Sequence, residues 1–159
     1  MEALERFRRA SELLPNDPFP RNGLAWELAT SSEPRLRDPA KAVVLAKEVI
    51  ELSRKQGDRP ERLGDYWNTL GVAQYRAGNL KESLAALQKS VDFAGGEQMR
   101  YVCEDCFFLA MVNSQLGRKD EARRWYDRAV EWMEKNEPKD KDLRGFRAEA
   151  EELLRIDKE

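Results

Sequence analysis

One pattern returns along this chain about every 40 residues, and few folds accommodate it. Ala3, Ala42, Ser83 and Ala122 are small residues spaced 39, 41 and 39 apart. Each follows a charged residue: Glu2, Lys41, Glu82 or Glu121. Four positions on stands a larger residue (Phe7, Ala46, Leu87, Tyr126), with Ala46 the weak member. Seven positions on stands a small one (Ala10, Val49, Ser90, Ala129), with Val49 the largest. Offsets of four and seven fall on one face of an α-helix. Each copy therefore reads as one helix of a unit that buries its face only by stacking on the next. Such arrays present surfaces rather than enclosed active sites.

Punctuation between the copies predicts about eight helices and no strand. Residues 2–14 form the first, with Ala3, Phe7, Ala10 and Leu14 on one face and Pro15 to Pro18 stopping it. A second spans about Arg21 to Thr30 and carries Leu24, Ala25, Trp26 and Leu28. Ser31 to Arg37 reads as a loop. Asp38 followed by Pro39 is a strong start signal, an N-cap acid before proline at the first helical position. That helix runs to about Arg54, burying Val43, Ala46, Val49 and Ile50. Asp65 is expected to cap the next, which runs to about Ala77 before Gly78. Asn79 with Glu82 resembles a capping box for a helix reaching about Ala94. Gly95-Gly96 breaks it. The remaining helices are expected over about Gln98 to Leu116, Lys119 to Lys135, and Asp140 to Ile156. The last carries an apolar stripe of Leu143, Phe146, Ala150, Leu153 and Leu154.

Composition fits a mostly helical protein: 41% hydrophobic and 36% charged in 159 residues, with seven Pro and nine Gly. The balance of 28 basic and 30 acidic residues leaves −2 with both signs interleaved, so no basic face points to nucleic acid. Arg8-Arg9 and Arg123-Arg124 read as solvated faces. No apolar run approaches the ~18 residues of a membrane span. Glu2, Glu5 and three Arg interrupt the first ten residues, so these residues carry no signal-peptide pattern. With two cysteines and no disulfide framework, a cytoplasmic, reducing setting is expected. Histidine is absent, which removes the commonest general base and transition-metal ligand. Cys103 and Cys106 form a lone CxxC inside a helix beside Phe107-Phe108, which reads as packing rather than a zinc or redox site. Glu151-Glu152 reads as a solvated pair, and Gly95-Gly96 lacks the Gly-Lys-Ser/Thr of a phosphate loop. No enzyme activity, metal or cofactor is expected.

Residues 67–96 carry a recognisable motif. Trp67-Asn68-Thr69-Leu70-Gly71, then Tyr75, Gly78, Glu82, Leu87 and Gly95 resemble a tetratricopeptide repeat. Ser83 and Ser90 hold its small positions, Leu87 replaces an aromatic, and Gly95 stands where proline is usual. A further copy shows Gly117, Glu121, Ala122, Tyr126 and Ala129 on its second helix, with Leu109-Ala110 on its first. An earlier copy has Leu24-Ala25 and Ala42, with an insertion near Ser31 to Arg37. Longer connections after Arg54 and Ala94 also stretch the spacing beyond the usual ~34 residues. Phrasing such as Tyr66 to Val72 and Phe108 to Met111 looks like the repeat regions of large bacterial multidomain signalling proteins, often fused to serine/threonine kinase domains.

The resemblance implies one right-handed α-α superhelix, a tetratricopeptide-like solenoid over 1–159. It divides into an unpaired repeat helix (2–14), repeat 1 with a loop insertion (19–54), repeat 2 (65–94), repeat 3 (98–135) and a C-terminal capping helix (140–156). Glu2, Ala3, Phe7, Ala10 and Pro15 match a repeat's second helix without its first, so the chain is expected to be part of a longer protein. The alternative is a natural N-terminal cap. In this family the first helices line a concave face. By position that face would show Asn22, Trp26 and Ala29; then Asp65, Asn68, Val72, Tyr75 and Arg76; then Glu104, Phe107, Met111, Ser114 and Gln115. Aromatic, amide and charged groups together suit an extended peptide or a helix. The competing reading leaves Trp26, Phe107 and Met111 in the core. The family's two-carboxylate clamp is not expected, since only Asn68 and Arg76 offer anything similar. The expected function is a non-catalytic protein-interaction scaffold. The alternative is a structural segment that self-associates, a homo-oligomer. A nucleic-acid or membrane partner is not expected.

Overall fold

The structure, a computed structural model, describes residues 2–95 and 100–156. Among these residues the chain forms eight α-helices and no strand. They are α1 (Glu2–Leu13), α2 (Pro18–Thr30), α3 (Pro39–Gln56), α4 (Pro60–Arg76), α5 (Leu80–Phe93), α6 (Arg100–Gln115), α7 (Lys119–Asn136) and α8 (Lys141–Leu154). Acidic caps set several starts. Asp17 and Asp38 each precede a proline and accept a backbone N–H from Phe19 and Lys41, both at 3.0 Å. Asp140 caps α8 through the N–H of Leu143 at 2.9 Å. Gly78 and Gly117 end α4 and α6 with φ of 81° and 77°, a left-handed turn that costs glycine nothing.

The helices pair as hairpins, α2 with α3, α4 with α5 and α6 with α7, and successive hairpins stack. The recurring small residues make this possible. Ala42, Ala46 and Val49 in α3, Ser83, Leu87 and Ser90 in α5, and Ala122, Tyr126 and Ala129 in α7 are all at most 4% exposed. Ser83 and Ser90 fasten their helix by donating to the carbonyls of Gly71 (2.8 Å) and Gly64 (2.9 Å). Leu87 fills the space left by the missing side chain of Gly71. In α1 the matching Ala3, Phe7 and Ala10 are only partly buried, with the Phe7 ring against Gly23 of α2.

Several local expectations are corrected. Asp65 caps nothing: α4 begins at Pro60, because proline at the first helical position starts the helix over a turn earlier. Asn79 makes no side-chain cap; its amide donates to Gln74 Oε1 at 2.7 Å. The Ser31–Arg37 loop contains a 3-10 turn, Pro34–Leu36. Leu14 lies past the end of α1 and is exposed. Leu153 points away from the α8 stripe, while Leu143, Phe146 and Ala150 are buried. Asp17 and Pro18 start α2 three residues earlier than expected, by the device already read at Asp38. Gly96 and Gln98 lie outside the described residues.

Candidate functional site

The inner faces of α2, α4 and α6 lie side by side, and α8 runs over them. The first turn of α8 is tied to α6, where Arg100 donates to Asp140 at 2.9 and 3.1 Å and pairs with Glu137. Its third turn is tied to α4, where Arg76 makes a two-pronged ion pair with Glu149 at 2.6 and 2.9 Å. Between these ties Phe146 meets the edges of Trp26 on α2 (centroids 6.1 Å apart) and Phe108 on α6 (5.0 Å).

The candidate residues fall into three zones along this face. At one end is a polar buried zone. Asn68 is sealed between helices and donates to Asp105 Oδ1 at 3.0 Å. Asp105 is wholly buried, and its Oδ2 has no hydrogen-bond partner. Burial pushes its carboxyl up to about 8, opposed by the hydrogen bond from Asn68. Glu104 is also buried and raised to about 8 by desolvation, although Arg100 lies 3.2 Å away. Asp65, half-buried, is raised to about 6 by burial. Asn22 is buried with Oδ1 unpartnered.

The middle zone is apolar. Ala29, Val72, Phe107 and Met111 are buried in the core, and Phe107 meets Tyr126 edge-on at 6.3 Å. Trp26 remains half-exposed at its margin. At the far end the Arg76 guanidinium sits over the rings of Tyr75 (5.7 Å) and Phe108 (5.3 Å). Gln115 is exposed and donates to the Tyr75 hydroxyl at 2.9 Å, beside half-buried Ser114. A shallow cavity of about 450 Å³ opens here, lined by Tyr75, Met111, Glu149, Glu152, Leu153 and Arg155.

Sequence reasoning missed Arg100, Asp105 and Glu149. All are charged helix residues, and the pattern treats such residues as solvated; only the Phe146 stripe hinted that α8 has a docking face. The two thiols are free and buried, pushed up to about 12 by desolvation. Cys103 donates to the Ala129 carbonyl at 3.4 Å, a packing role that keeps it protonated. Among the described residues no group of three or more His, Cys, Asp or Glu could hold a metal ion. Nor is any helix among them long and apolar enough to cross a membrane. The zones therefore offer stacking, hydrogen bonding and ion pairing.

Residues 106–136, from the later part of α6 through α7, match the tetratricopeptide repeat family. No curated protein matches the chain. With its stacked hairpins, the molecule is an all-α, tetratricopeptide-like helical solenoid.

Proposed function

We propose that this chain is a non-catalytic protein-interaction scaffold, one segment of a larger multidomain protein, that takes a peptide or helix along its inner face. The repeat match supports an interaction role. The observation that carries the reading is the Tyr75–Gln115 pair beside an open cavity on that face. An aromatic ring and an amide side by side can stack on a side chain and bond a peptide backbone. Arg76, Trp26, Ser114 and Asp65 border the path left by α8. On this reading Asn68, Val72, Glu104, Phe107 and Met111 shape the face from within. Metals, cofactors and nucleic acid have no part in it.

The test is capture of partners by the purified chain. Tyr75→Ala with Gln115→Ala should abolish capture while helicity is unchanged, and Arg124→Ala on the far side should not. Retention of every partner by the double variant would sink the inner-face reading.

One observation favours a second reading, self-association. Leu13 (71% exposed), Leu14 (52%) and Phe19 (61%) crowd the α1–α2 turn. Sedimentation showing a strict monomer at high concentration would remove it.

A further inference from the structure

A second surface lies between α7 and α8 and meets the inner-face cavity at Arg155. The two helices part there to leave an open trough of about 1220 Å³. Its apolar surface comes from half-buried Val130, Leu154 and Ile156, while Tyr126 and Met133, also in its wall, are only 4% and 2% exposed. Along α7 the lining residues Arg123, Tyr126, Val130 and Met133 follow at intervals of three, four and three. Along α8 the lining residues are Arg144, Arg147, Ala148, Glu151 and Leu154, with Arg155 and Ile156 just past its end. Spacing of three and four places each set on one face of its helix, and the two faces are bridged by Tyr126 donating to Glu151 and Arg147 to Glu134.

The lips of the trough are basic. Four arginines line it, Arg123, Arg144, Arg147 and Arg155, against two carboxylates, Asp127 and Glu151. The lining is thus +2 (four minus two) in a chain of −2. Both acids are engaged. Asp127 pairs with Arg123 at 2.9 Å. Glu151 accepts from Arg147 at 2.7 Å and from the Tyr126 hydroxyl at 2.8 Å. Arg144 and Arg155 are exposed and have no ion pair among the described residues. Arg155 also adopts the left-handed conformation, φ 55°, where glycine would be unstrained.

We propose that the α7–α8 trough docks an acidic amphipathic helix of a partner protein. Its apolar face lies on Val130, Leu154 and Ile156, and its carboxylates meet Arg144 and Arg155. Those two arginines stand eleven residues apart, about 16 Å along α8, so the docked helix spans about three turns. The trough shares Arg155 with the inner-face cavity, so the variant that tells the two readings apart is Tyr75→Ala/Gln115→Ala, which should leave helix binding at the trough unchanged.

The experiment uses the whole chain and two labelled synthetic helices, both with Leu on a 3–4 seam, one flanked by Glu and the other by Lys. Fluorescence anisotropy should show the Glu helix binding and the Lys helix not. Affinity should fall about tenfold or more in Arg144→Glu/Arg155→Glu and weaken between about 50 and 500 mM salt. Arg124→Glu, outside the trough, should leave it unchanged, and circular dichroism should show each variant folded. Equal binding of both helices, no binding of the Glu helix, or full affinity in the folded double variant would overturn the proposal. So would sedimentation showing a second copy of the chain in the trough, excluding the helix.

Discussion

A single missing methyl group sets how closely α4 and α5 approach. A Cβ built on Gly71 would lie 2.5 Å from Leu87 Cδ2 and 3.1 Å from its backbone nitrogen. The side chain can turn but the backbone cannot, so Gly71→Ala should destabilise by about 1–3 kcal/mol. Gly145 in α8 gives the opposite case. A Cβ there meets nothing within 4 Å, so Gly145→Ala should stabilise by about 1 kcal/mol through helix propensity. Thermal melts of the two variants should shift in opposite directions. Asp105 supplies a pH test at the same scale. Its folded value near 8 lies above the ~3.9 of an unfolded aspartate. Between these values the folded state binds more protons, so this group's contribution falls as pH rises from about 4 to about 8 and is level beyond. Asn68, Ser90, Asp65 and Glu104 are the groups around it. Asp105→Asn should therefore raise the melting temperature most at pH 8 or above and least near pH 4. A gain independent of pH would show that ionisation at this site is not the cause. The small residues behind the stacking were legible in sequence, since each recurs on the period. The buried acid was not, because a carboxylate inside a helix carries no sign of what will cover it.

Among the elements, α8 is the one whose part in the fold exceeds its sequence signal. Its stripe identifies an apolar face, and Leu143, Phe146 and Ala150 do become core. The face alone does not say which helices receive it. Phe146 reaches both Trp26 and Phe108, and Glu149 reaches Arg76. Phe146→Ala should cost about 3–5 kcal/mol. Arg76→Ala should cost about 1–2 kcal/mol, because Glu149 is exposed enough to hydrate when its partner is gone. Hydrogen exchange in the Arg76 variant should speed up in α8 and leave α5 as protected as before. Uniform acceleration through the chain would mean that the pair does not act as a local latch. The helix start at Pro39 was legible because capping is local chemistry, and that at Lys119 because Gly117 turns the chain just before it. Asp65 misled as a cap for the same reason, since Pro60, five residues earlier, takes precedence.

At the scale of the molecule, a plain solenoid unfolds as a chain of neighbours. Here α8 joins α2, α4 and α6 directly, so residues 120 apart in sequence, Trp26 and Phe146, share one contact (146 − 26). Urea unfolding should therefore be two-state, with circular dichroism and the fluorescence of Trp26, Trp67, Trp125 and Trp132 coinciding. In Phe146→Ala the two curves should separate; coincidence there would show that coupling between neighbouring hairpins suffices. By itself the sequence determined the class of the fold, the eight helices among the described residues, their pairing as hairpins and the small residues that let them touch. Each follows from local periodicity, capping and glycine turns, which act within a few residues. Only the tertiary structure decided where α8 lies, which members of the inner face are sealed, and which arginines remain unpaired beside the α7–α8 trough. Those depend on the angles at which successive hairpins stack, a sum of many side-chain contacts that no single stretch of the chain records.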